Sequence, residues 1–97
     1  MKLITKEIEN KTPRFYATDG KKESERIVYA HFFNVFNNWD WYLLEYNPET
    51  KEGYGLVKGW ETEYGYFNIP ELEEAHTERD RNFKPELLSV IREKGKL

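Results

Sequence analysis

A short charged segment, Thr77–Phe83, holds the side chains of this chain that are best suited to chemistry. Glu78 and Asp80 are two residues apart, so an extended backbone would point both carboxylates to one side, as a metal site or an acid/base pair requires. A structural role is the favoured interpretation: Arg79 would bind a carboxylate or helix carbonyls, and Phe83 would anchor the segment in the core. Because no nucleophile with a base and an orienting group accompanies the segment, no catalytic residue is predicted.

The other residue types that hold metals and cofactors give little further support. His31 and His76 lie far apart in the chain without ligand spacing. His31 is predicted to be packed and hydrogen-bonded in a strand, and His76 to complement the dipole at a helix end. A site of both histidines with Glu78 stays open as a minor alternative. The chain has no cysteine, which excludes disulfides, thiolate zinc sites and a cysteine nucleophile. We therefore predict no metal and no cofactor.

The elements that must position these residues are mainly strands. Thirteen of the sixteen aromatic residues lie between Tyr29 and Phe67, in alternating runs that are typical of half-buried strands. Turn residues separate four such runs, at Asn37-Asn38, at 47–53 and at 61–63, and Gly55 and Gly59 indicate a bulge or close backbone approach in the third run. The predicted strands are Arg26–Phe36, Trp39–Tyr46, Tyr54–Trp60 and Tyr64–Phe67.

Helices are predicted at both ends of the strand region. Thr5 is a candidate N-cap for a helix to about Asn10, and Asn68 with Glu71 resembles a capping box for a helix to about Ala75. A final helix would begin near Pro85 and end at Gly95. These elements predict a single α+β domain over 1–97: a four-stranded antiparallel meander with short helices packed on one face.

The charge is divided along the chain. Residues 27–83 carry four basic and eleven acidic side chains, a net charge of −7, whereas 1–26 and 84–97 each carry +2. An acidic middle repels phosphate backbones and favours a positively charged partner, although ordinary solvated faces are the simpler interpretation. No apolar run is long enough for a membrane span, and the first residues lack a secretion signal. The expected location is cytoplasmic, without membrane association.

The aromatic residues suggest two kinds of surface. Trp39, Trp41, Trp60 and Tyr64 could stack on nucleic-acid bases, but their charged neighbours are acidic where such platforms carry Lys and Arg. Exposed Tyr and Trp rimmed by Glu suit a protein partner, because these rings are enriched at interface centres. The predicted interaction residues are Trp60, Glu61, Glu63, Tyr64, Glu71, Glu73 and Glu74.

Several motifs in order also support a resemblance. They are Lys2–Ile8, Trp39–Tyr42 with Glu45-Tyr46, Gly55–Gly59, Glu63–Phe67, Glu71–Glu73, and Glu78-Arg79-Asp80 with Phe83. Over nearly its whole length the chain resembles a bacterial family of small proteins known only as a domain of unknown function. That family occurs in plasmids, conjugative elements and phage-like islands, and it supplies no catalytic residue. The stretch between Glu74 and Glu78 is shorter than the family pattern, and the loop 19–25 is more polar.

Three functions follow, in order of preference. The first is a non-enzymatic interaction protein of a mobile genetic element, which binds and inhibits a basic host CRISPR or restriction nuclease through an acidic, aromatic surface. The second is a single-stranded nucleic-acid-binding accessory module of plasmid transfer or replication. The third is a small metal-dependent hydrolase built on Glu78, Asp80 and a histidine. The second function would use the basic residues of both ends: Lys2, Lys6, Lys11, Arg14, Lys21, Lys22, Lys94 and Lys96.

Overall fold

An antiparallel sheet forms the centre of the protein in the computed structural model, which describes residues 1–97. In chain order the elements are α1 (Lys6–Lys11), β1 (Ile27–Val28), β2 (Ala30–Asn34), β3 (Trp39–Asn47), β4 (Glu52–Lys58), β5 (Thr62–Asn68), α2 (Ile69–Glu74), β6 (Glu78–Arg79), β7 (Glu86–Leu87) and α3 (Leu88–Glu93). The main sheet has five strands in the order β5-β4-β3-β2-β6, and β1 pairs separately with β7. The predicted α+β class is confirmed.

The sheet has five strands where four were predicted. Strands β2 to β5 form the predicted meander, and β6 adds to the outer side of β2. There, Phe33 pairs with Glu78 and Phe32 with Arg79. This short segment has no alternating apolar pattern, so its pairing depends on distant contacts: Arg79 Nη1 donates to the backbone carbonyls of Lys2 and Leu3.

The predicted first strand, Arg26–Phe36, is divided at Tyr29. Before Tyr29 the chain pairs with β7, and after it the chain pairs with β3 and β6. The pairing with β7 uses Glu86 and Leu87, so the last helix begins at Leu88 and not near Pro85. Gly95 follows that helix with a φ of +72°, the left-handed conformation expected after a helix end.

The turns are longer or placed differently than predicted. Asn34 pairs with Trp39, so the connection is the four-residue loop 35–38 and not a two-residue turn, although Asn38 takes the expected positive φ of 61°. Strand β4 begins and ends two residues earlier than predicted, and β5 extends beyond the predicted strand at both ends. Gly59 and Trp60 therefore lie in the turn between them. The N-caps are as predicted: Thr5 Oγ1 accepts from Ile8 N at 3.1 Å, and Asn68 Oδ1 accepts from Glu71 N at 2.9 Å.

Gly55 allows the predicted close approach between strands. A Cβ at this position would lie 1.9 Å from the carbonyl oxygen of Tyr42, a distance that only glycine avoids. The β3–β4 register shifts between Leu43 and Glu45, so Leu44 is an extra, bulged residue. The bulge changes which residues of β3 face each side of the sheet.

Helices cover both faces of the sheet, not one face as predicted. On one side, Phe32, Leu43 and Ile69 belong to a buried cluster against which Ile8 and Leu72 of the first two helices pack. On the other side, Leu88 and Ile91 of α3 join a second buried cluster. Two-sided cover follows from strands that are apolar on both faces, as β2 and β3 are. The residues of the second cluster are Val28, Tyr42, Leu44, Leu56, Leu88 and Ile91.

A buried carboxylate fastens the long segment between α1 and β1. Glu45, only 2% exposed, accepts hydrogen bonds from the backbone N–H groups of Tyr16 and Thr18, each at 2.9 Å, and from the Thr18 hydroxyl. A buried carboxylate without partners would be costly, so these bonds hold the segment against β3. None of the helices has the length and apolar content that a membrane crossing needs.

Candidate interaction surface

Three of the predicted interaction residues lie together at the turn between β4 and β5. Trp60 is 93% exposed, and Glu61 and Glu63 are also exposed. All three line one shallow depression with Trp39 and Val57. A nearly fully exposed tryptophan in a small domain is unusual, because burying its ring would remove a large apolar area from water.

The local sequence explains why Trp60 projects outwards. Gly59 N donates to the carbonyl of Glu61 at 3.0 Å, which closes a tight turn after the last β4–β5 pair. The ring of Trp39 lies against Gly59, and a Cβ there would come within 2.7 Å of that ring. The half-buried Trp39 therefore fills the inner side of the turn and leaves Trp60 on the outer side.

Two further exposed apolar residues lie at the same end of the sheet as Trp60. The β2–β3 and β4–β5 connections of an antiparallel meander lie at one end, and the β3–β4 connection lies at the other. In the β2–β3 loop, Phe36 is 79% and Val35 59% exposed. Asn34 Oδ1 accepts from Phe36 N at 2.9 Å and fixes the start of this loop. We call Val35, Phe36, Trp60, Glu61 and Glu63 the aromatic end of the sheet.

Val35 and Phe36 were missed as surface residues by sequence reasoning. An apolar pair at the end of an apolar strand predicts continuation of that strand, and both residues were placed in it. The signal that identifies them is Asn37-Asn38, since two consecutive asparagines favour a loop that starts earlier.

The other predicted interaction residues lie elsewhere. Tyr64 faces the opposite side of the sheet from Glu63, donates its hydroxyl to Glu23 Oε2 at 2.9 Å, and lies under the Arg26 guanidinium, 5.3 Å from the ring centroid. Glu73 accepts from Leu3 N at 2.8 Å and so holds the start of the chain against α2. The remaining two carboxylates of that helix, Glu71 and Glu74, are exposed.

The aromatic residues do not form a common stacking platform. Trp41 is buried, and its ring centroid lies 6.1 Å from that of Trp39 at an angle of 40°. Trp60 projects from a turn, and Tyr64 lies on the other face. Base stacking needs several parallel, accessible rings in a row, and these four rings do not provide one.

The predicted hydrolase needs Glu78, Asp80 and a histidine together, and the structure brings only Asp80 close to His31. His31 Nδ1 lies 3.5 Å from Asp80 Oδ2, and Nε2 lies 2.7 Å from Asp40 Oδ1. Glu78 pairs with Phe33 and is not bonded to the histidine. Because both ring nitrogens face carboxylates, His31 ties the residues after β6 to strands β2 and β3.

The surroundings of His31 are packed and partly apolar. Its ring stacks on Tyr42 with centroids 4.7 Å apart and planes 7° apart. Burial, with Asp40 and Asp80 nearby, raises the pKa of Tyr42 to about 12. Phe83 packs against the second core cluster, and the exposed His76 is not part of this group. No group of three or more His, Asp or Glu side chains is arranged to hold a metal ion.

Comparison with known proteins adds no relative. No family model matches the chain, and neither curated proteins nor solved structures give a match. The resemblance to a mobile-element family therefore stays a prediction, and the functional argument depends on the geometry of the surface.

Proposed function

We propose that this protein is a non-enzymatic interaction protein that binds a basic nucleic-acid-processing enzyme through the aromatic end of its sheet. The observation that supports the proposal is the 93% exposure of Trp60 beside two exposed carboxylates. Large exposed rings are tolerated in a stable domain when they serve as contacts, and tryptophan is among the residues most enriched at interface hot spots. Phe36, at the same end of the sheet, adds a second ring for the same contact.

Charge gives this surface its preference for a basic partner. Glu61 and Glu63 are exposed at this end of the sheet, and Glu71 and Glu74 are exposed on α2. None of the four is in an ion pair. Unpaired negative charge accelerates encounter with a positively charged cleft. The exposed rings would become buried in the complex and so extend its lifetime. A protein that occupies such a cleft excludes the nucleic acid that normally binds there, which is inhibition without chemistry.

The proposed target is a host CRISPR or restriction nuclease, and the protein would be encoded by a mobile genetic element. The choice of target depends on the family resemblance, whereas the choice of surface depends on the geometry. The single-stranded nucleic-acid module has less support, because the rings are not parallel and their neighbours are acidic. The metal-dependent hydrolase has less support, because both nitrogens of His31 face carboxylates.

A charge-reversal experiment tests the proposal. The double variant Glu61→Lys/Glu63→Lys changes the aromatic end, and Glu49→Lys/Glu93→Lys makes the same change in net charge at exposed positions elsewhere. Each protein is added to a panel of purified CRISPR and restriction nucleases, and binding and DNA cleavage are measured. The wild type and the control are expected to bind and inhibit at least one nuclease, and the aromatic-end variant to bind about 100-fold more weakly.

Two results would contradict the proposal. One is that no nuclease of the panel is bound or inhibited by the wild type. The other is that both double variants lose binding equally, since this would show that net charge and not the aromatic end is recognised. Circular dichroism of each variant confirms that the fold is intact before binding is compared.

A further inference from the structure

Strand β5 has a free edge along its whole length. It is the outermost strand of the main sheet, and its register with β4 is continuous from Thr62 to Asn68. Two backbone hydrogen bonds lie just beyond the ends of the β4–β5 ladder, from Gly59 N to Glu61 O and from Ile69 N to Lys51 O. They show that the backbone groups of the odd-numbered residues of β5 point towards β4. Hydrogen-bonded and non-bonded pairs alternate in an antiparallel ladder. The outward backbone groups therefore belong to Thr62, Tyr64, Tyr66 and Asn68.

This edge lacks the features that usually prevent pairing between chains. Natural edge strands are shortened, carry charges or prolines, or are covered by other elements. Strand β5 is seven residues long, contains no proline, and has Glu63 as its only charged residue. The opposite edge, β6, is only two residues long.

We propose that two copies of this chain pair antiparallel through β5, with the two-fold axis at Gly65. In this register Tyr64 lies opposite the partner's Tyr66, and Thr62 lies opposite the partner's Asn68. All four residues with outward groups then face one another, so each copy uses every outward N–H of the strand and the carbonyls of Thr62, Tyr64 and Tyr66, whereas Asn68 O already accepts the first hydrogen bond of α2. Centring the pair on Tyr64 leaves Asn68 unpaired, and centring it on Tyr66 leaves Thr62 unpaired.

The side chains fit the same register. Tyr64 and Tyr66 are 40% and 54% exposed, and cross-strand pairing would cover both and extend the contact of Tyr66 with Tyr54, whose ring centroids are 4.9 Å apart. On the other face, Glu63 lies opposite the partner's Phe67, so like charges are not opposed. The pairing ends before Trp60 and shares only Glu63 with the aromatic end of the sheet, and it does not depend on the proposed nuclease partner.

Position 65 offers a direct test, because it meets itself across the axis. A Cβ at Gly65 would contact only Val57 Cγ2, at 3.9 Å, so a side chain fits in the single chain. Gly65→Lys or Gly65→Glu then places two like charges opposite each other in the pair. Sedimentation measures the mass relative to the 11.7 kDa chain, with Gly65→Thr as the neutral control. Each charged variant is expected to dimerise about tenfold or more weakly than the control, and an equimolar mixture of the two to dimerise again.

Single cysteines test the register, since the chain has none of its own. Opposite residues in a non-bonded antiparallel pair have Cα atoms about 4.5 Å apart, within the range of a disulfide. Gly65→Cys is therefore expected to cross-link under oxidation. Glu63→Cys is the matched control, because its two copies would be offset by about 13 Å along the strands.

Three results would contradict the proposal. It is wrong if the wild type stays monomeric at millimolar concentration, if Gly65→Lys dimerises as well as Gly65→Thr, or if Glu63→Cys cross-links as fast as Gly65→Cys. Misfolding of a charged variant cannot imitate the expected result, because a misfolded chain would not be restored by mixing.

Discussion

The two edges of the main sheet differ in how their polar groups are used. At the β6 edge, Arg79 donates to the backbone carbonyls of Lys2 and Leu3, and the buried Asn34 donates to Ala75 O at 3.0 Å and to Thr77 Oγ1 at 3.1 Å. At the β5 edge, the backbone groups of Thr62, Tyr64 and Tyr66 and the N–H of Asn68 face outwards and do not bond to another strand. One edge is closed by internal hydrogen bonds, and the other is available for contact.

Stability and binding depend on different edges of this small sheet. Buried, hydrogen-bonded side chains are costly to remove, because their partners are left unsatisfied. Exposed side chains contribute little to folding, so sequence at the β5 edge and the neighbouring turn is free to serve contacts. We therefore expect substitutions at the closed edge and sheet centre to reduce stability, and substitutions at the open edge to change association.

The largest expected effect comes from two glycines that face each other across β4 and β5. Gly55 and Gly65 are cross-strand partners, but a Cβ at Gly55 would lie 1.9 Å from Tyr42 O, whereas a Cβ at Gly65 would meet only Val57, at 3.9 Å. Gly55→Ala should lower the free energy of unfolding by about 3 kcal/mol or more, and Gly65→Ala should change it by less than about 0.5 kcal/mol. Urea unfolding followed by circular dichroism measures both. Similar costs at the two positions would remove the distinction between centre and edge.

A smaller effect is expected from the polar residue that closes the β6 edge. Asn34→Ala removes two donated hydrogen bonds and the one accepted from Phe36 N, and it leaves the buried Thr77 hydroxyl without this partner. The expected loss in unfolding free energy is about 2 kcal/mol. Thr62→Ala, at an exposed position of β5, is the matched control and should cost less than about 0.5 kcal/mol. If Asn34→Ala costs no more than the control, internal hydrogen bonds do not stabilise the closed edge.

The smallest effect concerns the ion pair that positions Tyr64 on the open edge. A hydrogen bond from Arg92 lowers the pKa of Glu23 below its ordinary 4.5, against the opposing effect of burial, and Tyr64 lowers it further. A lowered pKa stabilises the fold above the unfolded value of about 4.5, and this contribution is lost as pH falls through the folded value. Arg92→Gln should therefore cost about 0.5 kcal/mol at neutral pH and nothing once Glu23 is protonated.

Urea unfolding of the wild type and Arg92→Gln at a series of pH values measures this difference. In a Glu23→Gln background, Arg92→Gln should have the same effect at every pH, because the titrating group is gone. A difference between wild type and Arg92→Gln that persists well below pH 4 would show that Glu23 is not its source.

Much of the fold could be predicted from local chemistry. Thr5 and Asn68 cap their helices through side-chain oxygens, and Gly55 permits a contact that no other residue allows. The two caps depend on neighbours in sequence, and a glycine inside a predicted strand indicates a close approach even though the partner, Tyr42, is distant in the chain. Strand β6 and the β1–β7 pair could not be predicted, because they are two residues long and depend on partners far away in the chain.

The candidate site was predictable only in part, for a similar reason. The combination of Trp60 with Glu61 and Glu63 follows from adjacent sequence, and the turn keeps them together. Phe36 was missed because exposure depends on where a loop begins. Tyr64 and Glu73 have partners, Glu23 and Leu3, that sequence spacing does not reveal.

The aromatic end of the sheet is the proposed contact surface. Trp60→Ala combined with Phe36→Ala removes its rings, and Tyr16→Asn removes a ring that is 67% exposed elsewhere, at a positive φ of 71° that asparagine tolerates. Calorimetric titration of a bound nuclease measures the affinity of each variant. The proposal predicts at least about a 100-fold loss for the double variant and an unchanged affinity for Tyr16→Asn. Equal affinities for the wild type and the double variant would contradict it.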